Sequence, residues 1–296
     1  MSTNEADVFE AYRPRLRGVA YRMLGGVADA EDIVQDAWLR WHAAGARNIA
    51  DAGAYLARIV TNLCLDKLKS ARSRREHYVG EWLPEPLLED LDRYQPGPEV
   101  AHEYAHDLTF ALLRTLDTLS PLERAAFLLH DVFDVDFKVI GAALEREPAA
   151  CRQLAARARE HIRAARPRFE RVAEQGERLS SAFVAAIAQG DVAALTRVLA
   201  DDVVFYSDGG GQVAALRHPL RGAARVAKAL LGFAAQYAPG TIRVARVAIN
   251  GLPGLLVTDT DGRVVQTIAL ELDAEARIAA LYVQRNPDKL RHLAAR

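Results

Sequence analysis

The spacing of apolar residues changes from helical to strand-like about two thirds of the way along this 296-residue chain, and that change limits the folds open to it. Up to about residue 169, apolar side chains recur every three or four positions, as in amphipathic helices. From about residue 202, short runs rich in valine and isoleucine are separated by glycine and aspartate, as in antiparallel strands. Helices first and strands afterwards predict all-α units followed by an α+β domain.

The helical part divides into two segments. Residues 7–75 read as helices, with a break at Gly25-Gly26 and Asp29 as the expected N-cap of the next helix. Residues 108–169 read as four helices, the second opened by the capping-box pattern Ser120-Pro121-x-Glu123. The last two, at about 136–144 and from Pro148, are joined by a turn of three or four residues, which is the spacing of a helix-turn-helix.

Residues 76–105 differ from both helical segments. They combine many acidic residues with Pro84, Pro86, Pro96 and Pro98, which disfavours a packed core and predicts a linker. Trp82 is unusual there, because an exposed tryptophan forfeits about 2 kcal/mol of burial. We therefore expect it to dock on a surface of the C-terminal domain.

The sequence pattern of the C-terminal part predicts two short helices, a sheet and one long helix. The helices lie within residues 179–199, and an amphipathic helix is expected at 220–237. Strands are expected at 202–207, 242–249, 254–258, 264–272 and 278–283. Thr260-Asp261-Gly262 is a suitable hairpin turn.

Composition excludes several classes of protein. Half of the residues are hydrophobic and the net charge is −1, which rules out a uniformly basic coat protein and an acidic disordered chain. No apolar run reaches the ~20 residues of a membrane helix, and the polar N-terminus is unlike a signal peptide, so a cytoplasmic protein is expected. Cys64 and Cys151 sit in apolar helical patterns and are expected to be small buried residues. Neither a metal nor a cofactor is predicted.

Charge is concentrated in two basic segments, at residues 58–75 and 146–171. Basic helices neutralise phosphates, and two such helices, each closing its own helical unit, favour DNA binding over solvated faces. Arg152 and Gln153 stand at the start of the recognition helix, where either side chain can read a purine with two hydrogen bonds. The acidic stripe of Glu31, Asp32, Gln35 and Asp36 would repel DNA, so it is expected to face a protein.

These pieces, in this order, resemble an RNA polymerase sigma factor of the extracytoplasmic-function type. Asp29-Ala-Glu-Asp-Ile-Val-Gln-Asp36 resembles the region 2 helix that docks on core polymerase, and residues 54–68 resemble the helix that holds the opened −10 element. Leu119-Ser-Pro-Leu-Glu-Arg-Ala-Ala-Phe127 resembles the opening of region 4, and Pro148 to Ile162 its −35 recognition helix. The resemblance covers about residues 5–165.

Three further motifs resemble a subgroup with a fused C-terminal SnoaL-like domain: Trp82-Leu-Pro-Glu-Pro86, Asp208-Gly-Gly-Gly211 and Asn286-Pro-Asp-Lys-Leu290. The resemblance implies a curved-sheet α+β cone that regulates the sigma domains in cis. It implies a multidomain fold with two all-α sigma domains and an α+β cone. The expected parts are region 2 at 1–75, a linker at 76–105, region 4 at 106–171 and the SnoaL-like domain at 174–296.

The resemblance also implies roles for individual residues. At −35 DNA we expect Arg152, Gln153, Arg157 and Arg159. At the −10 strand we expect Arg47, Asn48, Arg58, Asn62 and Lys67. At core RNA polymerase we expect Asp32, Gln35 and Asp36. At the regulatory interface between domains we expect Trp82, Leu83, Pro84, Glu85, Pro86, Asp208, Gly209, Gly210, Gly211, Asn286, Pro287, Asp288, Lys289 and Leu290.

Two alternatives remain open at this point. One is a helix-turn-helix regulator with a ligand-sensing SnoaL-like domain. An unknown small ligand in the C-terminal domain is possible both for such a regulator and for a sigma factor. The other is a SnoaL-like isomerase or cyclase, whose acid and base would come from Asp208, His218, Tyr206, Tyr282 and Gln284. No spacing pairs His218 with a carboxylate, so we expect no enzyme. The sequence leaves open the promoter, the inducing signal and the sign of the regulation.

Overall fold

A computed structural model describes residues 5–45, 49, 51–76, 78–88, 109–165 and 173–293. The chain divides into two compact units. The first combines Met1–Glu76 with Asp90–Arg166, and the second combines His77–Glu89 with Pro167–Arg296. The first part of the expected linker therefore belongs to the same unit as the C-terminal domain. None of the described helices is long and apolar enough to cross a membrane.

The first unit begins with three helices, α1 (Glu5–Leu24), α2 (Val27–Ala44) and α3 (Ala52–Glu76). Their core includes the fully buried Phe9, Trp41 and Leu56. The expectation for the start of α2 was wrong, because the extended N-cap residue is Gly26 and Asp29 lies inside the first turn. An acidic residue in that turn still favours the helix, since it faces the positive end of the helix dipole.

Four further helices complete the first unit: α4 (Phe110–Thr118), α5 (Pro121–Phe127), α6 (Phe137–Leu144) and α7 (Pro148–Ala165). Ser120 and Glu123 form the predicted capping box, and a π-helical turn at Leu128–Val132 follows α5. The turn between α6 and α7 requires glycine at position 141, where a Cβ atom would lie 2.7 Å from the carbonyl oxygen of Arg146. These two helices form the expected helix-turn-helix.

The two helical groups pack against each other within the first unit. Arg124, which is buried in α5, donates hydrogen bonds to the carbonyl oxygen of Met23 at 2.6 Å and to Asp117 at 2.8 Å. Phe133 is buried beneath the guanidinium of Arg22, 5.5 Å from its ring centroid, and its carbonyl accepts a hydrogen bond from Arg15. A charged group buried in this way stabilises a specific contact, because its loss would leave unpaired polar atoms.

The second unit is a six-stranded sheet with helices on one face. The strands are β1 (Leu199–Asp208), β2 (Leu220–Arg221), β3 (Ile242–Ile249), β4 (Leu252–Asp259), β5 (Val264–Leu272) and β6 (Ile278–Gln284). The helices are α8 (Ala173–Gln189), α9 (Val192–Val198) and α10 (Ala223–Ala234). The strand order is β2-β1-β6-β5-β4-β3, with β1 and β6 parallel and the other pairs antiparallel.

The two faces of this sheet have different surroundings. Phe205, Leu281 and Ile268 share the inner face and belong to an apolar core with residues of α8, α9 and α10. The outer face carries the alternate residues, among them Tyr206 and Tyr282, whose rings stack 5.3 Å apart. β6 is buried along most of its length, which means that its outer face is covered as well.

Both cysteines are free and buried, as their apolar patterns predict. Burial raises the pKa of the Cys64 thiol and of the Cys151 thiol. Each therefore stays protonated and unreactive at neutral pH.

Candidate functional site

Residues 78–88 dock onto the C-terminal domain at two of its strand ends. The backbone N–H of Leu83 donates to the Asp208 carboxylate at 2.9 Å, at the end of β1. Leu87 exchanges two hydrogen bonds of 2.9 Å with Asn250, in the turn between β3 and β4. Leu83 and Leu87 are both buried. Proline fixes much of the intervening backbone in advance, which lowers the entropy lost on docking.

A buried ion pair holds the centre of this docking site. The Lys289 ammonium lies 2.7 Å from the carboxylate of Asp208, which is fully buried, and donates to the carbonyl oxygen of Leu83 at 2.6 Å. It also lies 4.2 Å from the Trp82 ring centroid and 4.9 Å from that of Tyr78. Two aromatic faces, a carboxylate and a carbonyl together replace the water that the ammonium has lost.

Tyr78 is a member of this site that sequence reasoning missed. Its hydroxyl donates to Asp208 at 2.6 Å and accepts from the Asn286 amide at 2.9 Å. Burial and the Asp208 charge raise the pKa of Tyr78, so it remains a donor at neutral pH. Only its position, four residues before Trp82, could have pointed to it.

The glycine loop shapes the other side of the carboxylate. The Gly210 N–H donates to Asp208 at 3.0 Å, and a Cβ atom at Gly210 would lie 2.4 Å from the Asn286 amide nitrogen. Gly210 also has a φ of 61°, which favours glycine. The Gly210 N–H therefore serves Asp208 within the domain, while Gly211 approaches Val79 at the start of the docked segment.

The C-terminal tail closes the site. Asn286 caps a short 3-10 helix, Pro287–Lys289, and Leu290 is buried behind it. His292 contacts the carbonyl oxygen of Pro86 at 2.8 Å and lies 3.9 Å from Glu85. The structure thus brings together the three segments expected to form the regulatory interface.

In the first unit, Asp32, Gln35 and Asp36 are exposed along one face of α2 and line a shallow cleft with Leu63 and Lys67. Lys67 pairs with Asp29 at 2.7 Å and with Asp32 at 3.4 Å. Partial burial opposes its charge, but these two carboxylates outweigh that effect and raise the pKa of Lys67. The face is therefore acidic with one cation at its edge.

The residues expected at the −10 strand do not form one group. Arg58 is exposed over the Tyr55 ring, and Asn62 lies one turn further along α3. Lys67 instead faces α2, because nine residues of α-helix place it about half a turn away from Arg58. Arg47 and Asn48 lie outside the described residues.

The residues expected at −35 DNA separate into two pairs. Arg152 and Gln153 are exposed near the start of α7. Arg157 pairs with Glu123 at 2.8 Å and Arg159 with Asp131 at 2.5 Å, so this second pair fastens α7 to α5 and its π-helical turn. The hydrogen bond from Arg157 lowers the pKa of Glu123, and the hydrogen bonds from Ser120 add to that effect.

Lys138 and Arg146 are basic residues near the start of α7 that are absent from the predicted set. Both line a cleft along the helix-turn-helix with Gly141 and Pro148, and both are exposed. Arg146 lies within the predicted basic segment, whereas Lys138 is an isolated cation that only the fold places there.

The residues considered for catalysis do not gather around an inner cavity. Asp208, Tyr206, Tyr282 and Gln284 lie on the outer face, where Asp208 is bound by Lys289 and Tyr282 donates to Glu271 at 2.5 Å. His218 is exposed on the loop before β2.

Three family profiles match the chain in order. Sigma-70 region 2 matches residues 8–74, sigma-70 region 4 matches residues 109–162, and the SnoaL-like domain matches residues 180–280. Together they cover most of the described chain.

Relatives of known class match along almost the whole length. The chain is 38% identical over 295 residues to the ECF RNA polymerase sigma factor SigJ of Mycobacterium tuberculosis, covering 96% of this chain and 93% of SigJ. It is 31% identical to a probable ECF RNA polymerase sigma factor, SigI, of the same organism, covering 97% and 95%. The crystal structure of M. tuberculosis SigJ superposes with a TM-score of 0.73 at 36% identity, covering 96% and 97% of the two chains.

We predict that Lys289→Met lowers the free energy of unfolding by about 3–5 kcal/mol, because it leaves the buried Asp208 charge unpaired. Chemical unfolding followed by circular dichroism measures this loss. Adding Asp208→Asn should recover part of it, since the two sites interact directly. Lys69→Met removes an ion pair in which both side chains are more than two thirds exposed, and should change stability by less than about 1 kcal/mol. Equal losses for the two lysine variants would contradict the prediction.

Proposed function

The chain belongs to the extracytoplasmic-function RNA polymerase sigma factors, and we propose that its C-terminal domain regulates promoter recognition in cis by holding the linker between regions 2 and 4. The observation that carries this proposal is the docked segment 78–88, which is bound by Asp208 and Lys289. The C-terminal unit is joined covalently to α7 and non-covalently to the chain that follows α3. It is thus a second connection between the two sigma regions.

The distance between the two promoter elements is the reason why such a connection would affect promoter binding. The −10 and −35 elements are about 25 base pairs apart, which is about 85 Å of duplex. A compact unit of about 150 residues is only about 40 Å across. Regions 2 and 4 pack together through Arg124 and Phe133, so they have to separate before both elements can be bound. The docked linker shortens the free chain available for that separation.

A regulator fused to its target acts at high effective concentration. Weak contacts are then sufficient to keep the linker docked, and no separate anti-sigma protein is required. The C-terminal domain itself is proposed to be non-catalytic, because its candidate acid–base residues lie on the outer face or at the surface. Its place of action is proposed to be the cytoplasm, where core RNA polymerase and promoter DNA are found.

The acidic face of α2 is proposed to bind core RNA polymerase. Asp32, Gln35 and Asp36 are exposed at spacings of three and four residues, which gives one continuous surface. A basic surface on the polymerase would complement it. Lys67 is proposed to limit repulsion among the carboxylates rather than to hold DNA.

The two basic surfaces are proposed to divide promoter recognition. Arg58 and Asn62, with Arg47 and Asn48 as the sequence suggests, would hold the opened −10 strand. Arg152 and Gln153 would read −35 bases, and Lys138 and Arg146 would hold the adjoining phosphates. Arg157 and Arg159 would position α7 through their ion pairs, in addition to any contact with phosphate.

We predict that Asp32→Lys combined with Asp36→Lys abolishes assembly with core RNA polymerase, because it reverses the charge of the proposed surface. Native gel filtration with purified core enzyme measures the assembly. Asp202→Lys with Asp261→Lys, two exposed sites in the second unit, is the control for charge and should assemble normally. Normal assembly of the α2 variant would remove this surface from the proposal.

We predict that Arg152→Ala costs about 1–3 kcal/mol of promoter binding and relaxes specificity at one or two −35 positions. Binding of a library of −35 sequences measures both effects. Arg146→Ala should weaken all sequences about equally and reduce the salt dependence, as expected for a phosphate contact. Unchanged sequence preference in the Arg152→Ala, Gln153→Ala double variant would show that α7 does not read the −35 element.

We predict that removing the tail from Asn286 onward raises promoter binding several-fold, because it removes Lys289 and frees the linker. Gel shift measures binding, and small-angle scattering measures the expected increase in dimensions. Trp82→Ala should have the same effect with the tail in place. Unchanged dimensions and binding in both variants would refute regulation through the docked linker.

A further inference from the structure

The inner face of the sheet carries buried polar residues at the end where β1 and β6 finish. Ser207 of β1, Gln266 of β5 and Arg285, the residue after β6, lie there on the same face of the sheet. Ser207 pairs with Val283, and the backbone N–H of Arg285 donates to the Asp208 carbonyl at 2.7 Å. The pairing of Thr267 with Gln284 sets Gln266 beside Arg285. All three polar residues are buried.

Arg285 is a buried cation without a carboxylate partner among the residues that the structure describes. It is only 9% exposed. Its guanidinium donates to the Ala214 carbonyl at 2.5 Å and to the Tyr237 hydroxyl at 3.3 Å, and it lies 5.3 Å from the Phe233 ring centroid. None of these contacts supplies a negative charge. Burying a charge in this way is costly unless an anion compensates it.

Two buried polar atoms at this place have no hydrogen-bond partner. They are Nε of Arg285 and Oγ of Ser207. Nε and Nη2 form one edge of the guanidinium, and that edge is the one that binds a carboxylate with two parallel hydrogen bonds. Nη1 is already held by the Ala214 carbonyl, which fixes the plane of the group.

We propose that the inner face of the C-terminal domain binds a small organic carboxylate, held by Arg285 and Ser207 with its apolar body against Phe233 and Tyr237. One guanidinium matches the single charge of a carboxylate, whereas a phosphate dianion would be only half neutralised. Apolar walls with a few convergent polar groups are typical of sites for small molecules. The proposal concerns the domain itself and stands apart from promoter recognition.

The site lies at the same strand end as the docked linker, on the opposite face. Arg285 stands between Gln284 and Asn286, whose side chains contact Pro84 and Tyr78 of the linker. An occupant of the inner site would therefore touch the residue between two that hold the linker.

The experiment titrates the full chain with benzoate and with its neutral analogue benzamide, using saturation-transfer NMR and calorimetry. Benzoate should bind, and benzamide should bind at least tenfold more weakly, because it lacks the charge. Arg285→Met should weaken benzoate at least tenfold and Arg285→Lys by less, since lysine keeps the charge but not the two-pronged edge. Arg243→Gln removes an exposed arginine of β3 and should leave binding unchanged.

A stability measurement separates a ligand-binding arginine from a structural one. Without ligand, Arg285→Met should melt at or above the temperature of the natural chain, because an uncompensated buried charge has been removed. With saturating benzoate, only the natural chain should gain in melting temperature.

Three results would overturn the proposal. The first is equal affinity for benzoate and benzamide, and the second is benzoate binding that is as tight in Arg285→Lys and Arg285→Met as in the natural chain. The third is that none of benzoate, phenylacetate and hexanoate binds at millimolar concentration. If Arg285→Met fails to fold, the lysine variant and the benzamide comparison still decide. These readouts do not involve polymerase or DNA, so they stand whatever the outcome for promoter recognition.

Discussion

The carboxylate of Asp208 accepts hydrogen bonds from the linker, the glycine loop and the C-terminal tail, and the organisation of the second unit depends on it. One oxygen is bound by the Tyr78 hydroxyl and the Gly210 N–H, and the other by the Leu83 N–H and the Lys289 ammonium. Each donor compensates part of the cost of burying the charge. Losing one donor leaves the buried charge of Asp208 less well compensated, which destabilises the whole site. The linker, the loop and the tail are therefore stabilised together.

This arrangement places two different chemistries on the two faces of one strand end. The outer face, at Asp208 and Gln284, is polar and is bound by the linker, the glycine loop and the tail. The inner face, at Ser207 and Arg285, is polar and only partly engaged. Because alternate residues of a strand point to opposite faces, residues that are neighbours in sequence take part in the two different environments.

Local features of this chain were predictable from the sequence. The capping box at Ser120 and the β5 strand depend on residues a few positions apart, and both are found where expected. The prediction of an N-cap at Asp29 was wrong, because Gly26 supplies the extended backbone three residues earlier in the chain. The short β2 replaces the start of the long helix expected from residue 220, since Leu220 and Arg221 pair with β1.

Features that depend on distant residues were predictable only in part. The motifs around Trp82, Asp208 and Lys289 were recognised as belonging together, but the pairing of Lys289 with Asp208 was not. Tyr78 carries no signal beyond its position near Trp82, and the partner of Lys67 depends on how α3 packs against α2. The unpaired guanidinium of Arg285 likewise becomes visible only when the whole sheet is assembled.

The separation of Lys289 and Leu83 by 206 residues has a consequence for the newly made chain. At the usual rate of synthesis, about 10–40 s pass between the emergence of the linker and that of the tail that holds it. During this interval both sigma regions have been synthesised while the linker is still free. Docking therefore cannot begin until the tail has been made, and every chain passes through an unrestrained form once, during its synthesis.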